Sequence, residues 1–213
     1  MDWAAYLEAA LRRHDDRVSA ARDGGGREDL RLGRIASASW AAGLAASMLG
    51  RKDDARRLLE RAADEYVSSW DAAPPGSWGR PIAVLKCRLL ARDREGARRD
   101  AERTLAEGAL PPESDTQRYA GVLALLVLGR DPEAVAAVSF GEAFPEDVAT
   151  ALAALARRDG DAYAGAVGLV LRSFEERDAF LEDLRVADTV LALQELARER
   201  ALEAQLASAL LPP

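Results

Sequence analysis

Apolar residues recur three and four positions apart along most of the chain, and clusters of Gly, Pro and Asp interrupt them. That period is the signature of amphipathic helices, not of half-buried strands. Trp3, Tyr6, Leu7, Ala10, Leu11 and Val18 form one stripe, which predicts a helix from about Asp2 to Ala21, ended by Gly24-Gly25-Gly26. A second helix is expected over about Glu28 to Leu49, stopping at Gly50, and a third from Asp53 to about Trp70 with Leu58, Leu59, Ala62, Tyr66 and Val67 inward. Residues 72–80, rich in Pro and Gly around Trp78, read as a loop. Further helices are expected at about 81–92, 93–108, 114–129, 131–139, 146–158, 160–183 and 187–200. Pro111-Pro112, Asp131-Pro132 and Phe144-Pro145 fall where helices begin or the chain turns, as proline's fixed φ allows.

The connections are short, which makes successive helices antiparallel neighbours. The expected fold is therefore all-α, an array of antiparallel helical hairpins with ten to eleven helices. It forms a single domain over 1–213, with 1–71 and 81–213 on either side of the 72–80 loop. Composition agrees: 45 Ala and 30 Leu stand against 2 Ile, 12 Val, 4 Thr and 12 aromatics among 213 residues. A sheet would need more of the second group. No run of about 18 uncharged apolar residues is present, so no membrane span is expected. Met1-Asp2-Trp3 is not a basic region leading an apolar stretch, so no secretory signal is expected.

Charge narrows the function classes. A net charge of −7 opposes a role in nucleic-acid binding, which calls for a basic stripe that displaces counterions from phosphates. One cysteine, Cys87, excludes an internal disulfide and makes the cytoplasm the expected compartment. With one histidine, His14, the chain cannot build a zinc site of the usual nitrogen and sulfur kind, and no metal or cofactor is expected. Gly24-Gly25-Gly26 lacks the Lys-Ser/Thr of a phosphate loop, and no Gly-x-Ser-x-Gly elbow occurs. The densest carboxylates are Glu175, Glu176 and Asp178, with Glu182 and Asp183 following. On one helix they would present either a solvated face interleaved with Arg172, Arg177 and Arg185 or an acid–base or metal-binding face for a hydrolase. Asp188, flanked by apolar residues, reads as an N-cap of the last helix or a buried carboxylate.

One phrase recurs at helix junctions: Leu49-Gly50-Arg51-Lys52-Asp53-Asp54-Ala55, Leu90-Ala91-Arg92-Asp93-Arg94-Glu95-Gly96-Ala97, Leu128-Gly129-Arg130-Asp131-Pro132-Glu133-Ala134, and around Arg157-Arg158-Asp159-Gly160. In each, a helix ends on Gly or Arg, an acid caps the next helix, and a small Ala follows. This resembles the inter-helix turn of tetratricopeptide repeats. The best copy spans about Ala36 to Val67, where Gly43, Gly50, Ala55, Leu59 and Ala62 match that family's packing residues. The junction alanines lie 42, 37 and 30 residues apart (Ala55, Ala97, Ala134, Ala164), so the array is degenerate. The layout of a Trp78-led helix, a Gly160-Asp161-Ala162 helix start and a tail ending Leu210-Leu211-Pro212-Pro213 is similar to the all-helical immunity proteins, family forty-nine, of bacterial polymorphic-toxin systems. That resemblance implies neutralisation of a toxin by binding it.

The repeat resemblance implies a non-catalytic protein that binds another protein or a peptide, with the first helix of each hairpin lining a groove. Residues 86–103 carry a local charge of +3 and residues 113–147 one of −5, which would polarise such a groove. Trp78 is either a plug over the core or an exposed interface anchor. The candidate partner-contacting residues are Trp40, Trp78, Arg80, Lys86, Arg88, Arg118 and Tyr119. Homo-oligomerisation through the late apolar segments is a further possible association.

Overall fold

The apolar stripes fold into ten α-helices in a computed structural model that describes residues 1–22 and 25–213. In chain order these are α1 (Trp3–Arg22), α2 (Glu28–Met48), α3 (Lys52–Asp71), α4 (Gly79–Ala91), α5 (Arg94–Ala106), α6 (Asp115–Val127), α7 (Asp131–Ala137), α8 (Glu146–Arg157), α9 (Gly160–Glu175) and α10 (Asp188–Arg198). No strand occurs among the described residues, and none of the described helices is long and apolar enough to cross a membrane. The helix stop expected at Gly24 lies outside the described residues.

Each helix packs on its neighbours in sequence, and α10 returns to rest on α4 and α8. Two apolar clusters result. One gathers α1, α2, α3 and one face of α4 around Trp40, Leu44, Leu59 and Tyr66. The other gathers α4 to α10 around Leu123, Leu126, Leu152, Tyr163 and Leu193. Helix α4 is the shared wall, giving Val84, Cys87 and Ala91 to the first cluster and Leu85 and Leu89 to the second. Helix α2 is buried almost all round from Ile35 to Ala46, which is why its sequence is small and apolar on every face.

Four junctions turn the chain with one backbone device. Gly50 (φ 70°), Arg92 (φ 57°), Gly129 (φ 69°) and Arg158 (φ 56°) each adopt the left-handed conformation just past a helix. The next amide then reaches back to a free helix carbonyl: Arg51 to Ala46, Asp93 to Arg88, Arg130 to Leu125 and Asp159 to Ala154, at 2.9 or 3.0 Å. These are Schellman turns. The acidic cap expected at each forms only where arginine holds the left-handed position. Asp93 accepts from the Gly96 amide at 2.9 Å and Asp159 from the Ala162 amide at 3.0 Å. At the two glycine junctions no side chain caps the next helix.

Helix α9 stops at Glu175, not at 183. Residues 176–187 form no α-helix and make one 3-10 turn at Leu181–Asp183, with Glu182 and Asp183 at positive φ. The cause is a long-range anchor. The Glu182 carboxylate accepts from Arg17 at 2.7 and 3.1 Å and from Ser37 at 2.7 Å, while its carbonyl accepts from the Tyr6 hydroxyl. That anchor seats Leu184 and Val186 in the N-terminal apolar cluster. Glu175, Glu176 and Asp178 consequently share no helix face, and all three are exposed. Their exposure agrees with the solvated reading of this cluster, and the acid–base alternative is not formed.

Candidate partner-binding site

The candidate residues separate into interior ties and surface groups. Trp40 is 7% exposed, packed among the N-terminal helices. Arg88, from α4, is 4% exposed and is enclosed by three carboxylates. Its Nε donates to Asp100 at 2.9 Å, Nη1 to Asp93 at 3.0 Å and Nη2 to Asp64 at 2.7 Å. Burial works against its charge, and the hydrogen bonds it donates to Asp100 and Asp64 outweigh burial, so its pKa is raised further. Lys86 is paired with Asp188 and donates to Thr189 Oγ1 at 3.1 Å. Desolvation pulls the Lys86 pKa down, but the attraction of Asp188 prevails and holds it above the ordinary value. Trp40 and Lys86 do not line an open groove as the repeat resemblance implied, whereas Arg88 borders a surface cleft beside the start of α5. Trp40 is packed into the N-terminal apolar cluster, and Lys86 is turned toward Asp188 at the start of α10.

The remaining four are partly exposed. Arg80 reaches the Asp29 carbonyl at 3.3 Å and Arg118 the Ala137 carbonyl at 3.2 Å. Tyr119 packs 5.5 Å from the Phe144 ring, and Phe144 stacks on Phe140 at 4.0 Å. Burial raises the Tyr119 pKa, with Lys86 opposing. Trp78 borders a surface depression of about 370 Å³ with Trp70, Pro74, Pro75 and Arg103. The Arg103 guanidinium caps Trp70 at 3.9 Å from the ring centre and ties to Asp71 at 2.8 Å. Trp78 is thus half covered, part plug and part surface.

The basic stretch at 86–103 does border a cleft, of about 550 Å³, to which the stretch at 113–147 gives only the apolar Val127 and none of its acids. Its opposing wall is the C-terminal half of α10. Leu89, Ala97 and Val127 make an apolar floor. Above it, Arg92 pairs with Glu195 at 3.2 Å, Arg94 with Glu199 at 3.5 Å, and Arg198 with Glu195 at 2.6 Å. The Arg94 side chain remains 80% exposed, so its pairing is readily exchanged for another anion. The buried Arg88 clamp fixes the start of α5 and with it the positions of Arg92 and Arg94.

One anchor takes the second of its two sequence readings, and another escaped the sequence altogether. Asp188 does not cap α10: the capping position is Ala187, without a side-chain bond, and the carboxylate serves Lys86 instead. Its apolar surroundings in sequence were the available signal. Asp131 turns inward to Arg158 at 2.8 Å and to the buried Arg200, and these contacts outweigh burial to lower its pKa. No local pattern marks it. Among the described residues no three histidine, cysteine or acidic side chains gather as a metal site would need. No protein-family description, no curated protein and no solved structure matches this chain.

Proposed function

We propose that the chain is a non-catalytic, tetratricopeptide-like helical-hairpin protein that binds another protein or a peptide, and that the cleft between α5 and α10 is where it does so. The observation that supports this is the cleft's make-up: an apolar floor beneath exposed, exchangeable ion pairs. A partner segment that places an apolar side chain on Leu89 and Val127 and a carboxylate beside Arg94 would replace weak surface pairs with desolvated ones. The four shared turns between helices are consistent with a hairpin array derived from one repeated unit.

The test is cross-linking mass spectrometry in the native host with the intact chain, its Arg94→Glu/Arg98→Glu variant, and Arg12→Glu as a distant surface control. Arg94 and Arg98 are 80% and 69% exposed, so the reversal leaves the fold intact. The expected result is cross-links at α5 and α10 that vanish in the double variant and persist in the control. An unchanged cross-link pattern in the double variant removes the cleft as the binding surface.

A further inference from the structure

The C-terminal segment is not a helix. Past α10 the chain turns at Ala201, a non-glycine at φ 56°, and runs on without helix or sheet. Burial alternates along it: Leu202, Ala204, Leu206 and Ser208 are half-buried, whereas Glu203, Gln205, Ala207 and Ala209 are exposed. That period of two belongs to an extended chain. Its contacts give the same reading. Leu202 lies at Gly160, the start of α9, and the Ser208 hydroxyl donates to Glu175, the end of α9, at 2.7 Å. Helix α9 is about 22 Å long between those points, and six extended residue steps cover about 20 Å.

Apart from the Arg198–Glu203 ion pair at 2.6 Å and the Ser208–Glu175 hydrogen bond, what holds this segment is indifferent to its sequence. Leu202, Ala204, Leu206 and Leu211 pack against the C-terminal apolar cluster, and Leu210 is buried in it. Between residues 203 and 207 only one residue has its backbone bonded among the described residues. The Ala204 carbonyl accepts from Gln194 Nε2 at 2.7 Å, and the Ala204 amide donates to Gln194 Oε1 at 3.2 Å. The Gln194 amide is held in that orientation by the Tyr163 hydroxyl, which donates to Oε1 at 2.9 Å from a fully buried ring. A side-chain amide that matches both polar groups of one peptide unit reads backbone and ignores the side chain attached. Alternate apolar side chains supply the rest.

We propose that the groove between α9 and α10 is a binding site for an extended peptide with apolar side chains at alternate positions, occupied here in cis by residues 202–210. The ligand class is Leu-x-small-x-Leu in extended form, with the small residue at the Gln194 clamp. The two sites share one side chain, Arg198, which pairs with Glu195 above the α5–α10 cleft and with Glu203 of the segment; the Gln194 clamp and the apolar contacts lie outside the cleft, so either site can fail alone. The tail competes at the effective concentration of a tethered segment, about millimolar, and so masks the groove from weaker ligands.

The probe is a labelled synthetic peptide of residues 202–213 carrying Glu203→Gln, titrated by fluorescence anisotropy into the full-length protein. A Leu206→Asp change in the protein's own tail is expected to tighten peptide binding at least tenfold over the unaltered chain. Adding Gln194→Ala in that background is expected to weaken it by about tenfold, the effect of two lost hydrogen bonds. If Leu206→Asp loses its helical circular dichroism, Ala204→Pro replaces it, since proline removes only the amide that Gln194 accepts from and is at home in extended chain. In the unaltered protein, the peptide is expected to accelerate cleavage after Glu203 by a glutamate-specific protease as it displaces the tail. Equal peptide affinity for the folded tail variant and the unaltered chain, or cleavage indifferent to peptide, overturns the proposal.

Discussion

Replacing Gly43 by alanine isolates how closely α2 and α3 approach. In an open helix position the change stabilises by about 0.5–1 kcal/mol, because glycine loses more backbone freedom on folding. At Gly43 a β-carbon would lie 2.7 Å from Leu59 Cγ and 3.2 Å from the Leu59 backbone nitrogen. Leu59 is 1% exposed, so neither atom can retreat without moving α3. Overpacking of this kind costs about 1–3 kcal/mol, and the net expectation is a loss of about 1–2 kcal/mol. Gly165, exposed in mid-α9 with no heavy atom within 4 Å of a built β-carbon, is the matched control and should gain about 0.5–1 kcal/mol on the same change. Urea denaturation followed by far-UV circular dichroism measures both. A further arm combines Gly43→Ala with Leu59→Ala, where the double variant should be more stable than the two single losses sum to, because the 2.7 Å clash with the Leu59 side chain is gone and only the backbone contact remains. Stabilisation by Gly43→Ala equal to that at Gly165, or strict additivity with Leu59→Ala, would refute the close approach.

Three other outcomes are expected. Arg88→Ala leaves the buried Asp100 carboxylate without its partner and should cost about 3–5 kcal/mol in the same denaturation assay; a loss below about 1 kcal/mol would mean that the clamp is dispensable. Gly50→Ala and Gly129→Ala, at φ 70° and 69° with open space around the new β-carbon, should each lose about 1 kcal/mol from backbone conformation alone; neutral variants would remove the left-handed turns as the reason for glycine there. Glu182→Gln concerns pH. Burial would raise the Glu182 pKa, but Arg17, Ser37 and Arg13 together lower it, so its stabilisation is complete above the unfolded value of about 4 and is lost as pH falls through the depressed folded value. The stability gap between the unaltered chain and Glu182→Gln should therefore be about 1–3 kcal/mol near neutrality and narrow below about pH 4; a constant gap would show that the charge of Glu182 contributes nothing.

Helix positions were legible because a stripe repeating every three to four residues has one low-energy reading once it is ten or more residues long. The turns were legible for a related reason: Gly50 and Gly129 advertise a left-handed residue, and Asp93 and Asp159 sit where a cap can reach back. The site was far less so. Residues 86–103 were correctly read as a basic flank, but their opposing wall comes from α10, a hundred residues on. Arg88 has the same sequence neighbourhood as the exposed Arg92, and only the tertiary arrangement of Asp64 and Asp100 makes one a buried clamp and the other a surface group.

The tail shows a limit of pattern that is physical and not a matter of closer reading. Leu202, Leu206 and Leu210 are spaced by four, and four fits both one helical turn and two pleats of an extended chain. Pattern alone therefore assigns the segment to either state with the same apolar face. What decides between them lies outside it. Arg200 is buried, with its side chain 3% exposed, held by Asp131 and by the carbonyls of Leu126 and Leu196. That anchor stops α10, and the next residue, Ala201, takes positive φ, which no continuing right-handed helix permits. Asp131 thus does more than brace α7: by fixing Arg200 it sets where the helix ends and where the extended segment begins. Releasing that pair should free the tail before it loosens the helices, because the tail's own backbone is tied between 203 and 207 at Ala204 alone among the described residues.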